Sequence, residues 1–410
     1  MQSTFSHSRM KHPLLALLAL CALHPAALIA QRWVYLTEVP DYDWYAGCFG
    51  TASGNMAGFW DRHGLPNFYT GQTAGGLAPL NSRGANVGIR SLWTSKSGVD
   101  GRPANQPGHI DDYYSAGDGV AYDQSTASDP YVLAGRAEHA PDCIGDFIGL
   151  NQKKWTNMAS ECDGNIDAYS FVFWDKTGNR RMNYSHTNTT GQYIPDLQSG
   201  YKAWARWRGY DTDVFTQLSS FNPERTTGAG FTYANVKAEI DAGYPVLCFL
   251  QQQGVFSRNF SGRNPPMPKA NPDIHGVMIY GYIENVPEVG VSQGVLIRTS
   301  WGSGDNIIME WSADPWLGLY PPRGVIVVRP KPKITNVTRS GGNVNIAWDG
   351  PSSQLYDNLA GTTATVHRYQ LERATTLNPA NFTPVGPAGT TRTATVPDSG
   401  PAFYRVRLNP

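Results

Sequence analysis

The chain has 410 residues, enough for two or three folded units, and its 33 Lys and Arg residues balance 33 Asp and Glu residues. A formal charge of zero excludes bulk binding to nucleic acid or to an anionic membrane, because both need a clear basic excess. A hydrophobic content of 40% excludes general disorder, and 16% charged residues with 43 Gly and 29 Pro are typical of a loop-rich, β-containing extracellular protein.

The first 30 residues have the pattern of a secretory signal peptide. Arg9 and Lys11 precede an apolar run over residues 14–20, and the small residue Ala30 closes the segment. The run is too short to span a bilayer comfortably, and no later stretch is apolar enough to do so. We therefore expect a mature chain that begins near Gln31, has no transmembrane segment, and is secreted or lies at the cell surface outside the cytoplasm.

The region 31–330 is predicted to be an α+β domain. Apolar residues at a spacing of four, Ala52, Met56 and Trp60, predict a helix over 48–63, and similar stretches predict helices over 196–207 and 233–242. Residues 70–190 form a loop-rich insertion with few periodic segments. Short β-branched or aromatic runs then predict strands at 246–250, 276–282, 294–299, 307–311 and 324–329. Helices followed by an antiparallel meander are typical of the α+β class.

A Pro-Lys-Pro-Lys linker at 330–333 precedes a region of different character, residues 331–410. There Val344, Ile346 and Trp348 alternate with polar residues, and the same alternation recurs near 369–373 and 403–408. This pattern predicts a small β-sandwich and resembles a fibronectin-type-III or immunoglobulin-like module. The resemblance implies a domain that contacts another protein, a polysaccharide or the cell envelope.

The cysteine count is consistent with export. Apart from Cys21 in the signal peptide, the chain contains Cys48, Cys143, Cys162 and Cys248. An even count in an exported chain favours disulfides, and Cys143 with Cys162 in one irregular segment is the best candidate pair. Cys248 lies in an apolar strand and is predicted to be a buried thiol. That leaves Cys48 as the odd cysteine.

Three local features could carry chemistry. Cys48 opens the first predicted helix, where backbone N–H groups favour a thiolate, although a half-buried structural cysteine is the alternative. His275 directly precedes an apolar strand, from which it could face a helix-borne cysteine and take its proton; the alternative is an ordinary surface or capped histidine. Thr299, just before Ser-Trp-Gly, could accept a hydrogen bond from the other imidazole nitrogen.

Taken in order, these motifs resemble those of papain-like cysteine peptidases. Gly-Cys48-Phe-Gly-Thr-Ala, then Asp241-Ala-Gly-Tyr-Pro-Val, His275-Gly-Val with a later Gly-Tyr, and Thr299-Ser-Trp-Gly follow the family order over residues 39–329. The match is nearest to the bacterial subgroup related to bacteriocin-leader-processing peptidases. The resemblance implies a cysteine peptidase with Cys48 as nucleophile, His275 as general base and Thr299 at the third position. It also implies a peptide or protein substrate and no cofactor.

Two positions depart from the family pattern. The family has Asn or Asp where this chain has Thr299, whose hydroxyl can orient an imidazole but cannot stabilise an imidazolium as a carboxylate would; Asp273 or Asp305 could substitute. The family also places an oxyanion-binding Gln at the position of Tyr42. The oxyanion hole would then combine the Cys48 backbone N–H with one of three aromatic residues, Tyr42, Trp44 or Tyr45.

These departures keep other functions open. The same scaffold supports cell-wall amidases and acyl transferases, and a catalytically weak or inactive surface or binding protein would also tolerate them. A separate cluster in the insertion offers imidazoles and carboxylates at close spacing: His109 with Asp111 and Asp112, and His139 with Asp142 and Asp146. Calcium binding is one interpretation of that cluster. Hydrogen-bonding anchors for the insertion are the preferred one, and no metal site is predicted.

Overall fold

The structure is a computed structural model that describes residues 31–42, 47–69, 77–81, 144–148, 177–182, 197–223, 225–251, 274–286, 291–300, 302, 306–313 and 321–409. These residues form a mixed fold of a few helices and mostly antiparallel sheets, which confirms the predicted α+β class. Within these ranges, no helix has the length and apolar character that a membrane crossing requires.

The described helices of the first region are α1 (Gly47–Arg62), α2 (Ile144–Ile148), α3 (Leu197–Trp207) and α4 (Tyr233–Asp241). Helices α1, α3 and α4 pack against one large sheet, and the short α2 packs against α1 and α3. The predicted apolar spacing in α1 places Ala52, Met56 and Trp60 in the core, each no more than 1% exposed. A capping box in which Thr232 and Asn235 satisfy each other's backbone N–H groups fixes the start of α4.

The large sheet has the strand order β12-β11-β1-β5-β4-β8-β3-β2, with β6 pairing β5 and β7 pairing β6. The strands of the first region are β1 (Arg32–Leu36), β2 (Arg181–Met182), β3 (Thr212–Leu218), β4 (Val246–Gln251), β5 (Ile274–Val286), β6 (Val291–Arg298), β7 (Ile307–Glu310) and β8 (Pro322–Pro330). The 13-residue strand β5 pairs with β4 over its first half and with β1 over its second half. It is therefore the central scaffold of this sheet.

The C-terminal region adds eight strands among the residues described. They are β9 (Lys333–Ser340), β10 (Asn343–Asp349), β11 (Gln354–Asp357), β12 (Thr362–Thr365), β13 (Arg368–Ala374), β14 (Thr383–Pro384), β15 (Thr393–Pro397) and β16 (Phe403–Asn409). Two three-stranded sheets, β15-β10-β9 and β14-β13-β16, share one core that contains Trp348 from one sheet and Tyr369 from the other. The predicted linker lies between β8 and β9.

Strands β11 and β12 do not belong to either small sheet. Strand β11 pairs with β1 and so extends the large sheet of the first region. The Arg32 guanidinium lies 2.9 Å from the Asp357 carboxylate, and the rings of Tyr35 and Tyr356 are 5.1 Å apart. The hairpin at 354–365 is thus built into the sheet that carries β5, which the sequence pattern did not predict.

The predicted elements agree with the structure to within a few residues. Helices predicted at 48–63, 196–207 and 233–242 correspond to α1, α3 and α4, and the five predicted strands correspond to β4, β5, β6, β7 and β8. The alternating segments of the C-terminal region are confirmed as β10, β13 and β16. The insertion 70–190 contributes only short described pieces, including α2 and β2.

Buried histidines predict that the protein loses stability in mild acid. Burial lowers the pKa of His275 and of His367 to about 4, and it also lowers the pKa of His63. Between pH 6.5 and 4 the unfolded chain binds more protons than the folded one, so stability falls as the pH falls through that window. The cost is about 3 kcal/mol each for His275 and His367.

Guanidinium unfolding at pH 7, 5.5 and 4.5 measures this effect. His367 Nε2 lies 3.2 Å from Ser353 Oγ and far along the chain from His275, so a His367→Gln variant removes one titrating group. We expect that variant to lose less stability than the wild type over the same pH interval. Equal losses in the two proteins would contradict the assignment.

Candidate active site

The first turn of α1 packs directly against the start of β5. Cys48 is a buried thiol, and the ring of its neighbour Phe49 stacks on Phe249 with ring centroids 4.3 Å apart. Phe249 is the ladder partner of Gly276 in β5. A Cβ added to Gly276 would lie only 2.6 Å from Phe49 Cδ1, so the contact requires glycine. The residues flanking this contact are Cys48 on the helix and His275 on the strand.

His275 is held by a main-chain carbonyl. Its Nε2 lies 2.8 Å from the carbonyl oxygen of Thr299, and the residue is 2% exposed. A carbonyl oxygen can only accept a hydrogen bond, so Nε2 carries the proton. In the neutral imidazole, Nδ1 is then the unprotonated nitrogen, which carries the basic lone pair. The bond therefore fixes the tautomer in which Nδ1 can accept a proton.

The imidazole is neutral at physiological pH. Burial lowers the pKa of His275 to about 4, and the hydrogen bond to Thr299 opposes this only in part. A neutral imidazole can act as a general base, because it accepts a proton instead of already holding one. Below about pH 4 the imidazole would be protonated and this capacity would be lost.

A sharp corner after β6 aims the Thr299 carbonyl at His275. Ser300, the next residue, has φ +66°, a left-handed conformation that costs a non-glycine residue about 1–3 kcal/mol. Its hydroxyl donates a hydrogen bond of 3.0 Å to the carbonyl oxygen of Gly276, which ties the corner to β5. The role of Ser300 was not predictable, because no feature of the amino-acid sequence indicates a positive φ at this serine. Gly276 had a signal, because an isolated glycine within a strand pattern often marks a close backbone approach.

The expectation that the Thr299 hydroxyl orients the imidazole is wrong in its choice of atom. Thr299 Oγ1 is buried and has no hydrogen-bond partner among the described residues, whereas the backbone oxygen of the same residue contacts His275. A main-chain acceptor is available whatever side chain stands at position 299. This explains how Thr can stand where the family has Asn or Asp and still leave the imidazole oriented.

This geometry predicts that Thr299→Val leaves the reactivity of Cys48 nearly unchanged. Valine matches threonine in shape, keeps the carbonyl in place and removes a hydroxyl that has no partner in the described structure. We expect the rate of Cys48 modification to stay within about threefold of the wild-type rate, well short of the roughly 100-fold loss expected for a group that takes part in proton transfer. Site-resolved alkylation rates measure this, and a loss of that larger size would assign the role to the hydroxyl.

Tyr42 does not lie where an oxyanion donor is needed. Its hydroxyl donates a hydrogen bond of 2.9 Å to the carbonyl oxygen of Pro79, and the same oxygen packs against Gly58. Gly58 lies ten residues beyond Cys48, about 15 Å along the axis of α1 at the helical rise per residue. The tyrosine side chain therefore packs against the middle of α1, away from Cys48. The suggested oxyanion role for Tyr42 is wrong.

Several predicted residues lie outside the described part of the chain, namely Trp44, Tyr45, His109, Asp111, Asp112, His139, Asp142, Cys143, Cys162, Asp273 and Asp305. Calcium binding by this set, a disulfide between its two cysteines, and a carboxylate that replaces Thr299 in orienting His275 therefore remain predictions. Cys248 is described: it is a fully buried thiol in β4, as predicted. In the residues that the structure describes, no three His, Cys, Asp or Glu side chains group as a metal site.

The packing of α1 against β5 suits proton transfer from a nucleophile to a histidine. The first turn of α1 carries a thiol and packs against β5, whose second residue is a neutral histidine. The proton of that histidine is held on the nitrogen that faces Thr299. Such a histidine can take a proton from a nucleophile. Searches of protein-family models, of curated proteins and of solved structures found nothing that matches this chain.

Proposed function

We propose that the protein is a thiol hydrolase of the papain-like type, with Cys48 as nucleophile and His275 as general base. The hydrogen bond from His275 Nε2 to the Thr299 carbonyl carries the proposal, because it leaves Nδ1 as the basic nitrogen of a buried, neutral imidazole. The packing of Phe49 on Gly276 supports it, since that contact joins the cysteine helix to the histidine strand.

In the proposed reaction, Cys48 Sγ attacks the carbonyl carbon of an amide substrate while His275 Nδ1 takes the thiol proton. The imidazolium then gives that proton to the leaving amine, and a thioester remains on Cys48. A water molecule, deprotonated by the neutral imidazole, attacks the thioester and releases the carboxylic acid. His275 finally returns its proton to the sulfur, so the site ends as it began.

The Thr299 carbonyl would assist both proton transfers. It accepts from Nε2 throughout, and its partial negative charge stabilises the imidazolium that forms between the two steps. A carbonyl supplies less stabilisation than a carboxylate would, and burial disfavours the charged ring. We therefore propose a general-base mechanism in which the thiol loses its proton during attack. The alternative is a resting thiolate–imidazolium pair, which the lowered pKa of His275 disfavours.

Substrate profiling tests the activity itself. The mature protein is incubated with a peptide library derived from unfolded proteins and, separately, with peptide fragments of cell wall, and new termini are identified by mass spectrometry. We expect cleavage of amide bonds that is absent in Cys48→Ala and retained in Cys248→Ala, the same substitution at the other described thiol. Cleavage of library peptides supports a peptidase, and cleavage of wall fragments alone supports the amidase alternative. No cleavage of either, or cleavage that survives Cys48→Ala, would overturn the proposal.

A further inference from the structure

A pocket lies at the far end of β5 from His275. It has a volume of about 650 Å³ and is formed by the segment after β3, the start of α4, the adjoining ends of β5 and β6, and Trp311 after β7. Glu284 on its wall is nine residues along β5 from His275, about 30 Å at the rise of a strand. The volume falls within the range of about 300–1,000 Å³ that is typical of small-ligand sites. This pocket is therefore separate from the candidate active site.

Aromatic rings form the rigid part of its wall. Phe221 and Trp311 pack together with ring centroids 6.1 Å apart, and Trp311 also packs on Phe231 at 6.3 Å. The Tyr233 hydroxyl donates a hydrogen bond of 2.7 Å to the carbonyl oxygen of Ile283, which fixes the phenol ring in place. Trp311 and Tyr233 are buried, 2% and 8% exposed, whereas Phe221 is half-buried. Phe221 is therefore the ring whose face is open to a ligand, and the buried rings behind it hold it in place before any ligand arrives.

The charges on the wall cancel. Lys237 Nζ lies 2.6 Å from Glu284 Oε1, and these two are the charged side chains of the described lining. Because Lys237 and Glu284 neutralise each other, a charged ligand would find no oppositely charged side chain left to pair with. Burying its unpaired charge would cost free energy. The ligand that fits is therefore uncharged.

Hydroxyl and amide groups complete the lining. Ser220, Asn285, Ser292 and Gln293 all line the pocket, and within the described chain their side chains make no hydrogen bond to another residue. Ser292 and Gln293 are exposed at the rim. These side chains can both donate and accept hydrogen bonds, so they suit a ligand that carries many hydroxyl or amide groups.

We propose that this pocket binds a neutral oligosaccharide. A sugar ring combines an apolar face, which packs on an aromatic ring, with an edge of hydroxyl groups that hydrogen-bond to amide and hydroxyl side chains. The pocket pairs those two features on a wall with no net charge. Binding there is independent of thiol chemistry, and it would hold the protein on a glycan while the site at the other end of β5 remains open to a second molecule.

Ligand-observed NMR and calorimetry on the mature protein test the proposal with two probes, an N-acetylglucosamine trisaccharide and a glucose trisaccharide. Ala234 is exposed on α4 and lines the pocket, so Ala234→Trp should fill it at small cost to the helix. We expect binding of at least one probe, weakened about tenfold or more by Ala234→Trp. The control is Ala360→Trp, the same substitution at an exposed alanine outside the pocket, and it should bind as the wild type does.

A second pair of variants tests the proposal without introducing a bulky side chain that could disturb the fold. Gln293→Ala removes a rim amide on an exposed strand position and should weaken binding severalfold, whereas Gln354→Ala, exposed on β11, should not. Cys48→Ala should bind fully, which separates this proposal from the proposed hydrolase. The proposal is overturned if neither trisaccharide binds at about 10 mM, if Ala234→Trp binds as tightly as Ala360→Trp, or if an uncharged peptide occupies the pocket and the sugars do not.

Discussion

Iodoacetamide should label Cys48 rapidly at pH values well below 8, and His275→Ala should slow that labelling about tenfold or more. The expected difference comes from the neutral imidazole, which takes the thiol proton as the sulfur attacks the reagent. Because burial lowers the pKa of His275 to about 4, the labelling rate should persist through pH 6 and fall only as the pH approaches 4. Quenched time courses with site assignment by mass spectrometry give the rate at each pH.

The molecule supplies two controls for that experiment. Cys248 is 0% exposed within β4, against 5% for Cys48 at the start of α1, and burial raises the pKa of its thiol. Cys248 should therefore react only when the protein unfolds. His367 is also buried with a pKa lowered by burial, but it contacts Ser353, so His367→Ala should leave the labelling of Cys48 unchanged. An acid limb near pH 6.5 would mean that His275 titrates as an ordinary exposed imidazole. A Cys48 rate that is indifferent to His275→Ala would mean that His275 does not serve the thiol.

Gly276→Ala should disrupt the site although position 276 carries no chemistry. The new methyl group would lie 2.6 Å from the Phe49 ring, and that ring is held from behind by its stack with Phe249. The first turn of α1 must then move away from β5. We expect a loss of about 1–3 kcal/mol in the free energy of unfolding from overpacking. The rate of Cys48 modification should fall about tenfold or more, because small displacements of reacting groups are costly.

A matched glycine and a rescue variant isolate the cause. A Cβ added at Gly389 would meet nothing closer than 3.9 Å, so Gly389→Ala should change neither stability nor Cys48 reactivity appreciably. Combining Gly276→Ala with Phe49→Leu makes room for the methyl group and should recover part of the stability lost by the single variant. A double-mutant cycle measures that coupling, and purely additive effects would show that the Phe49–Gly276 contact is not the source.

Much of the fold was predictable because it depends on local periodicity. The spacing of Ala52, Met56 and Trp60 predicts α1, and the alternation of Val344, Ile346 and Trp348 predicts β10; both elements are present. The pairing of β11 with β1 was not predictable, since no local signal shows that a strand near residue 355 will join one near residue 35. Pairing at such separation is decided by tertiary packing.

The packing of the two element ends at the candidate site could be predicted from residue types, whereas the atoms that contact His275 could not. Cys48 and His275 could be chosen from the types of residue at a helix start and a strand start, and the structure places those two element ends against each other through Phe49 and Gly276. The role at position 299 was assigned to a side chain, because sequence comparison sees only side chains. The backbone carbonyl that contacts His275 depends on the positive φ of Ser300, which a sequence does not reveal.

The most direct test of the account is detection of an acyl-enzyme on Cys48. The protein is mixed with an activated ester or peptide thioester, quenched in acid within its first turnover, and digested for mass spectrometry. The account predicts an acyl group on the Cys48 peptide of the wild type, its absence from Cys248, and its loss in His275→Ala but not in His367→Ala. No adduct on Cys48, or an adduct that forms equally fast without His275, would contradict the claim that these two residues form a catalytic pair.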